Sequence, residues 1–316
     1  MMIANILVPL DGSALAERAL PYAAGLAGAA RARLRLLHVM PTLPSAIHPR
    51  AAGDMVARLD LLARQLRARD IQATASTITG HAPADAILTS ANDPPADLIV
   101  MSTHGRSGIG RWLYGSVADR ILCLSDVPVL LVPATSSHPW PKDRRPKILV
   151  PLDGSDLSET ALGPARLLSY TLGADLLLMR VVEQTSTPVW NFDPAGVATW
   201  SAPSDELEAA RQYLGGIAEA SGPVARSADV LVDEGNPASM IASAARQEGA
   251  DMIVMATHGR TGLPRLTMGS VATATVQRSP VPLLLIRPPM LARPLTEHID
   301  ERDTLAAEVW PPIGIR

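Results

Sequence analysis

Along the chain, two hydrophobic patterns take turns. Ile3–Leu10, Leu34–Met40, Leu98–Met101 and Val129–Val132 are short, nearly unbroken apolar runs, which predict strands buried on both faces. Between them the apolar positions take helical spacing. Asp11-Gly12-Ser13 turns the chain into a helix predicted over about 14–30, with Ser13 suited to the N-cap and Glu17 to the first turns. Met55, Leu59, Leu62 and Leu66 mark one face of an amphipathic helix over 51–69. The stretch 71–78 alternates polar and apolar and reads as a strand nearer an edge. Pro83 then occupies the first turn of a helix to about 91. Five strands alternating with four helices call for a parallel sheet with helices on both faces.

The pattern is then written a second time. ILVPLDGS at Ile6–Ser13 returns letter for letter at Ile148–Ser155, and Ala96–Val132 returns as Ala250–Ile286 with more than half of its positions identical. A period this long means duplicated domains rather than a solenoid. The domains expected are 1–133 and 147–288, joined by a Pro-, Ser- and charge-rich linker at 134–146 and followed by a tail at 289–316. In the second half the order is a helix over 157–171, a strand over 175–182, a helix over 205–220, a strand over 224–232 and a helix over 237–247. The half is longer than the first, and the surplus falls in 184–203, an aperiodic stretch with Trp190, Phe192 and Trp200. Such a loop could cover a ligand or pack on the sheet edge or the other half. A charged surface helix is expected over 296–310, with no function assigned.

Composition narrows the class. The apolar fraction of 47% supports full cores, and no apolar run reaches the ~18 residues that span a bilayer. The N-terminus lacks the basic and apolar regions of a signal peptide. A single cysteine, Cys123, excludes an internal disulfide framework or a CxxC metal site and fits a reducing cytosol. The net charge of −3, without a basic stripe, argues against nucleic acid as a partner. The expectation is a cytoplasmic α/β protein with no membrane contact.

Open parallel sheets bind ligands beyond the carboxyl ends of their strands, where strand order reverses. The residues with chemistry collect there. Asp11 and Asp153 can accept a hydrogen bond from a base amino group or a ribose hydroxyl, or can simply hold a turn. Gly105, Gly108 and Gly110, then Gly115-Ser116, lie between a buried strand and a helix; Gly259, Gly262 and Gly269-Ser270 repeat the arrangement. Glycines let backbone N–H groups approach a phosphate, and a helix N-terminus adds partial positive charge. Ser116 and Ser270 can donate to phosphate or cap their helices. His104 and His258 can contact phosphate or stay solvated; no recurring second ligand suggests a metal.

VPLDGS, the strand-end Val39 and the run MSTHGRSG with its later Gly-Ser-Val resemble the universal stress protein family, and the repeat is similar to its tandem members. The resemblance covers about 3–133 and 147–288. It implies five parallel strands per half in the order 3-2-1-4-5, an adenine-nucleotide alpha-hydrolase-like sheet, and an ATP-binding subclass marked by Gly-x2-Gly-x9-Gly-Ser/Thr. Carried over, Asp11 and Val39 would hold adenine and ribose, with Pro9 lining the pocket. Met101, Ser102, His104, Gly105, Gly115, Ser116 and Val117 would cradle phosphates and ribose, with Gly108 in the loop. The matching second-half positions are Pro151, Asp153, Val181, Met255, Ala256, His258, Gly259, Gly262, Gly269, Ser270 and Val271. Ser102 and Ala256 replace the first glycine of that signature, which is tolerable only where φ stays negative. Pro264, in place of Gly110, removes an N–H.

The function expected is a regulatory, stress-responsive ATP binder, with Mg2+ an optional companion. Its halves would pair through Val129–Val132 and Leu283–Ile286 as a pseudo-dimer, with a homodimer of chains left open. A slow ATPase or phosphotransferase is the alternative, though no Walker motif and no catalytic lysine in the loop support it, and Arg106 and Arg260 cannot act as bases. A scaffold that has lost the nucleotide is the third reading.

Overall fold

The computed structural model describes residues 3–41, 49–80, 82–103, 115–134, 136, 140–141, 143–183, 190–192, 198–200, 203–221, 227–257 and 268–287. The first half runs β1 (Asn5–Pro9), α1 (Ala14–Glu17), α2 (Leu20–Ala30), β2 (Arg33–Pro41), α3 (Pro49–Arg67), β3 (Ala73–Gly80), α4 (Pro83–Asn92), β4 (Leu98–Ser102), α5 (Ser116–Leu124) and β5 (Val129–Val132). The second runs β6 (Lys147–Pro151), α6 (Asp156–Glu159), α7 (Leu162–Leu172), β7 (Asp175–Val182), β8 (Trp190–Phe192), β9 (Ala198–Trp200), α8 (Pro203–Ser221), β10 (Ala228–Glu234), α9 (Pro237–Gln247), β11 (Met252–Ala256), α10 (Ser270–Arg278) and β12 (Leu283–Ile286).

Each half has the order 3-2-1-4-5 with parallel neighbours, as the resemblance implied. The two sheets join through their last strands, the pairing expected from the resemblance. β5 and β12 pair antiparallel, Leu131 opposite Leu283 and Leu130 opposite Leu284, which fuses the halves into one ten-stranded sheet. In isolation each last strand would be an edge with unpaired N–H and C=O groups and apolar side chains on both faces. Pairing covers that edge, and all eight residues of β5 and β12 are buried.

Side chains that alternate along the strands divide the core into two layers. Ile6, Val8, Leu34 and Leu36 face α2 and α3, and the same layer continues through Leu130, Leu284, Ile148 and Leu178 to α7 and α8. Leu7, Ile99 and Leu131 face α4 and α5, continuing through Ile253 and Leu149 to α9 and α10. Neither layer stops at the junction, so the duplicated halves share a core. On one side of the junction α2 packs on α7.

Four features differ from the sequence reading. The helix expected over 14–30 is broken into α1 and α2, and Pro21 explains it: with no N–H it cannot continue the ladder, but it fits the first turn of a new helix. The second half breaks at the same place, with Pro164 in the first turn of α7. β10 begins later than expected, at Ala228. The aperiodic stretch at 184–203 contains a small antiparallel ribbon, β8 against β9, with Trp190 opposite Trp200.

The described part of the linker is docked rather than loose. Trp140 donates its indole N–H to the Tyr22 carbonyl at 2.9 Å and meets the Tyr22 ring edge-on at 5.6 Å. The Tyr22 hydroxyl bonds Ser136 at 2.7 Å. Gly25 makes room for the indole: a Cβ there would stand 2.3 Å from Trp140 Cδ1. Farther on, both terminal nitrogens of Arg144 reach the Asp251 carboxylate at 2.7 Å. The tail beyond 287 lies outside the described residues, as does the surface helix expected there.

Candidate functional site

The carboxyl ends of β1, β2 and β4 form one edge in the first half, and β6, β7 and β11 form its counterpart. Order reverses between β1 and β4 and again between β6 and β11, the switch point at which such sheets bind ligands.

At the end of β1, Pro9 is buried and Leu10 donates its N–H to Leu37 O at 2.8 Å, drawing the next turn over β2. Asp11 Oδ1 accepts the Ser13 N–H at 2.9 Å, and Ser13 Oγ caps α1 by accepting the Ala16 N–H at 3.1 Å. Gly12 bridges them at φ 83°, a left-handed conformation that needs glycine. The second half repeats this closely: Leu152 N–H donates to Met179 O at 2.8 Å, Asp153 Oδ1 accepts the Ser155 N–H at 3.0 Å, and Gly154 has φ 81°. Val39 and Val181 are half-buried near the ends of β2 and β7.

At the end of β4 the helix start is tied to the strand. Gly115 N–H donates to Thr103 O at 3.0 Å, and Thr103 N–H donates to Val132 O at 3.0 Å. In the second half Gly269 N–H reaches Thr257 O and Thr257 N–H reaches Ile286 O, each at 2.8 Å. The N-cap of both α5 and α10 is a glycine, Gly115 and Gly269, which has no side chain to cap the helix, and among the described residues the first N–H groups are left to solvent or an anion. Ser116 and Ser270 are exposed at the first helical position, beside half-buried Val117 and exposed Val271. Among the described residues a Cβ on Gly115 would meet nothing closer than Thr103 O at 3.7 Å.

Met101, Met255, Ser102 and Ala256 close their strands and are buried. The positive-φ residues other than glycine are Arg31 and Asp70 among the described residues, so Ser102 and Ala256 meet the backbone condition set by losing the glycine. His104, Gly105, Gly108, Gly110, His258, Gly259, Gly262 and Pro264 lie outside the described residues. Among the described residues no three His, Cys, Asp or Glu side chains converge as metal ligands would. Nor is any described helix long and apolar enough to cross a membrane.

Sequence reasoning missed a set of residues under the Asp turns. His38 is buried, one residue before Val39, with Nδ1 2.7 Å from Leu10 O. At the matching place in β7 stands Arg180. Its guanidinium lies 5.1 Å from the centre of the Tyr213 ring, and a Cβ on Gly154 would be 2.9 Å from its Nη1. Tyr213 donates its hydroxyl to Glu159 at 2.7 Å. Burial, then the bond to Glu159, pushes that phenol above the usual tyrosine range. The available signal was the charge interrupting the apolar run DLLLMRVV.

Fold and edge together define a duplicated, doubly wound α/β protein with one strand-end switch point per half. The chain belongs to the universal stress protein family, a stress-response family: the family model matches twice, over residues 2–133 and 145–287. It is similar to universal stress protein Rv2005c of Mycobacterium tuberculosis, 25% identical over 300 residues covering 90% of this chain and 97% of that one. A shorter universal stress protein of Thermus aquaticus is 34% identical over 141 residues, 42% of this chain and 99% of its own. Among solved structures, a universal stress protein from Archaeoglobus fulgidus superposes with a TM-score of 0.62 at 19% identity, covering 91% of this chain and 97% of that one, a likeness of fold.

Proposed function

We propose that this protein binds an adenine nucleotide, ATP in the first instance, at the strand ends of one or both halves, and that it acts in the cytoplasm as a nucleotide-dependent regulator. The observation that carries the reading is that each half sets a glycine-bent Asp turn and a helix start with glycine at its N-cap, Gly-Ser-Val, at one switch point. The carboxylate suits ribose hydroxyls or a base amino group, and the first helical N–H groups with the helix dipole suit phosphate. Asp11, Val39 and Pro9 would hold the adenosine of the first site. Met101, Ser102, Gly115, Ser116 and Val117 would hold its phosphate side, with their second-half counterparts doing the same.

Native mass spectrometry of the gently purified chain, with ATP titrated in the presence and absence of Mg2+, tests this. One or two adenine nucleotides per chain are expected, recovered largely as ATP. Thermal stabilisation should follow, since ligand at 100 times Kd contributes about 2.7 kcal/mol per site. No added mass and no thermal shift at millimolar ATP would overturn the reading in favour of a scaffold. Rapid appearance of ADP in a timed assay would move it to the ATPase.

A further inference from the structure

The two Asp turns are the same octamer in sequence but are held by different residues, His38 reaching Leu10 O at 2.7 Å in the first half. In the second half Ser158 stands where the first half has Ala16, and both are buried. The Ser158 hydroxyl donates to Ser155 O at 2.8 Å and accepts the Asp153 N–H at 3.2 Å, a cross-brace over the turn that alanine cannot supply. Ser155 Oγ donates to Asp153 Oδ1 at 2.6 Å while its own N–H reaches the same oxygen. Beneath the turn, Arg180 fills the place of His38. It is set against Gly154 and seated on the Tyr213 ring, where the first half has Leu59. Tyr213 in turn anchors Glu159 of α6, the short helix that the turn leads into.

A loop already held in its binding geometry loses less conformational freedom when ligand arrives, so its affinity rises without any new ligand contact. We infer that the two sites are unequal: the second half is the tighter adenine-nucleotide site and fills first, with Ser158 and Arg180 as the positioning residues that make it so. This rests on the nucleotide-binding reading above. The acceptor and the helix start are common to both halves. The proposed inequality comes from the residues behind the turn.

The test is calorimetric titration of the full chain with ATP, one site silenced at a time. Asp11→Ala isolates the second half and Asp153→Ala isolates the first. The second-half Kd should be lower by about fivefold or more, a difference of a kcal/mol or so. In the Asp11→Ala background, Ser158→Ala and Arg180→His should each weaken binding about threefold to tenfold, the span expected from one lost hydrogen bond or packed contact. Arg180→Lys should retain part of it. The reciprocal change Ala16→Ser, in the Asp153→Ala background, should tighten the first half, which a merely structural serine would not do. Equal sites, a tighter first half, or no change on Ser158→Ala and Ala16→Ser would sink this inference while leaving nucleotide binding intact. Absence of binding at either half would remove both.

Discussion

Duplication makes each half a control for the other, and the regions behind the two Asp turns show how far copies of one sequence can drift in support while keeping the same surface. Glu17 of α1 meets the guanidinium of Arg58 at 2.6 and 2.8 Å on an exposed face. Its counterpart Glu159 instead accepts from Tyr213, which is half-buried and carries Arg180 on its ring. Both arrangements steady the short helix that follows the turn. One uses a solvated ion pair, worth little because water and salt screen it. The other uses a half-buried hydroxyl, an aromatic face and a cation, each costly to remove because its partners are left behind.

The largest expected effect tests what the halves share. Leu131→Lys would place a charge at the β5–β12 pairing, where Leu131 is fully buried opposite Leu283. A loss of about 4 kcal/mol or more is expected from burying an unpaired charge. Urea unfolding should show a lower midpoint for the whole chain, because the core is continuous across the junction. Loss confined to the first half would instead show two independent folding units.

Next is the linker seat, found in the first half among the described residues. Gly25→Ala would push against the Trp140 indole and cost about 1–3 kcal/mol. Trp140→Ala should relieve most of that penalty, so the double mutant would be less destabilised than the sum of the single changes. Strict additivity would show that the indole does not occupy this seat in solution.

Gly12→Ala and Gly154→Ala both force alanine into the left-handed region, at about 1–2 kcal/mol each. Gly154→Ala should be the more damaging, since Arg180 must also withdraw. Equal losses in thermal melts would mean that Arg180 does not press on the turn.

The smallest effect concerns pH and Tyr213. Its folded-state pKa is raised, by burial first and Glu159 second, so its contribution is complete below about 10, the ordinary tyrosine value, and fades as the pH climbs beyond it. Tyr213→Phe should cost about 1 kcal/mol at neutral pH and flatten part of the alkaline loss. Arg58→Ala on the first-half pair should change neutral-pH stability little, and an effect as large as that of Tyr213→Phe would reverse the comparison.

Much of this was readable in the residues. Unbroken apolar runs marked the central strands because a strand covered on both faces leaves no polar position free. Pro21 and Pro164 carried the helix breaks in plain view, although the long apolar stretch around them suggested one helix. The paired turns and Gly-Ser-Val helix starts were legible because they act locally: positive φ, a missing side-chain cap and an Asx turn depend on neighbours within a few residues. The support behind the turns was not legible. Arg180 and Tyr213 lie far apart in sequence, and no periodicity says that one will sit on the other's ring.

By itself, then, the sequence determined the duplication, the alternation of strands and helices, and the residues offered at the strand ends, since each follows from short-range sterics and from which side chains avoid water. Tertiary structure decided the antiparallel register in which the two sheets join, that Gly25 receives a tryptophan from the linker, and that the two Asp turns are braced by different residues. Those outcomes depend on edges and cavities meeting across the chain, and a hydrophobic run states only that it must be covered, not by what.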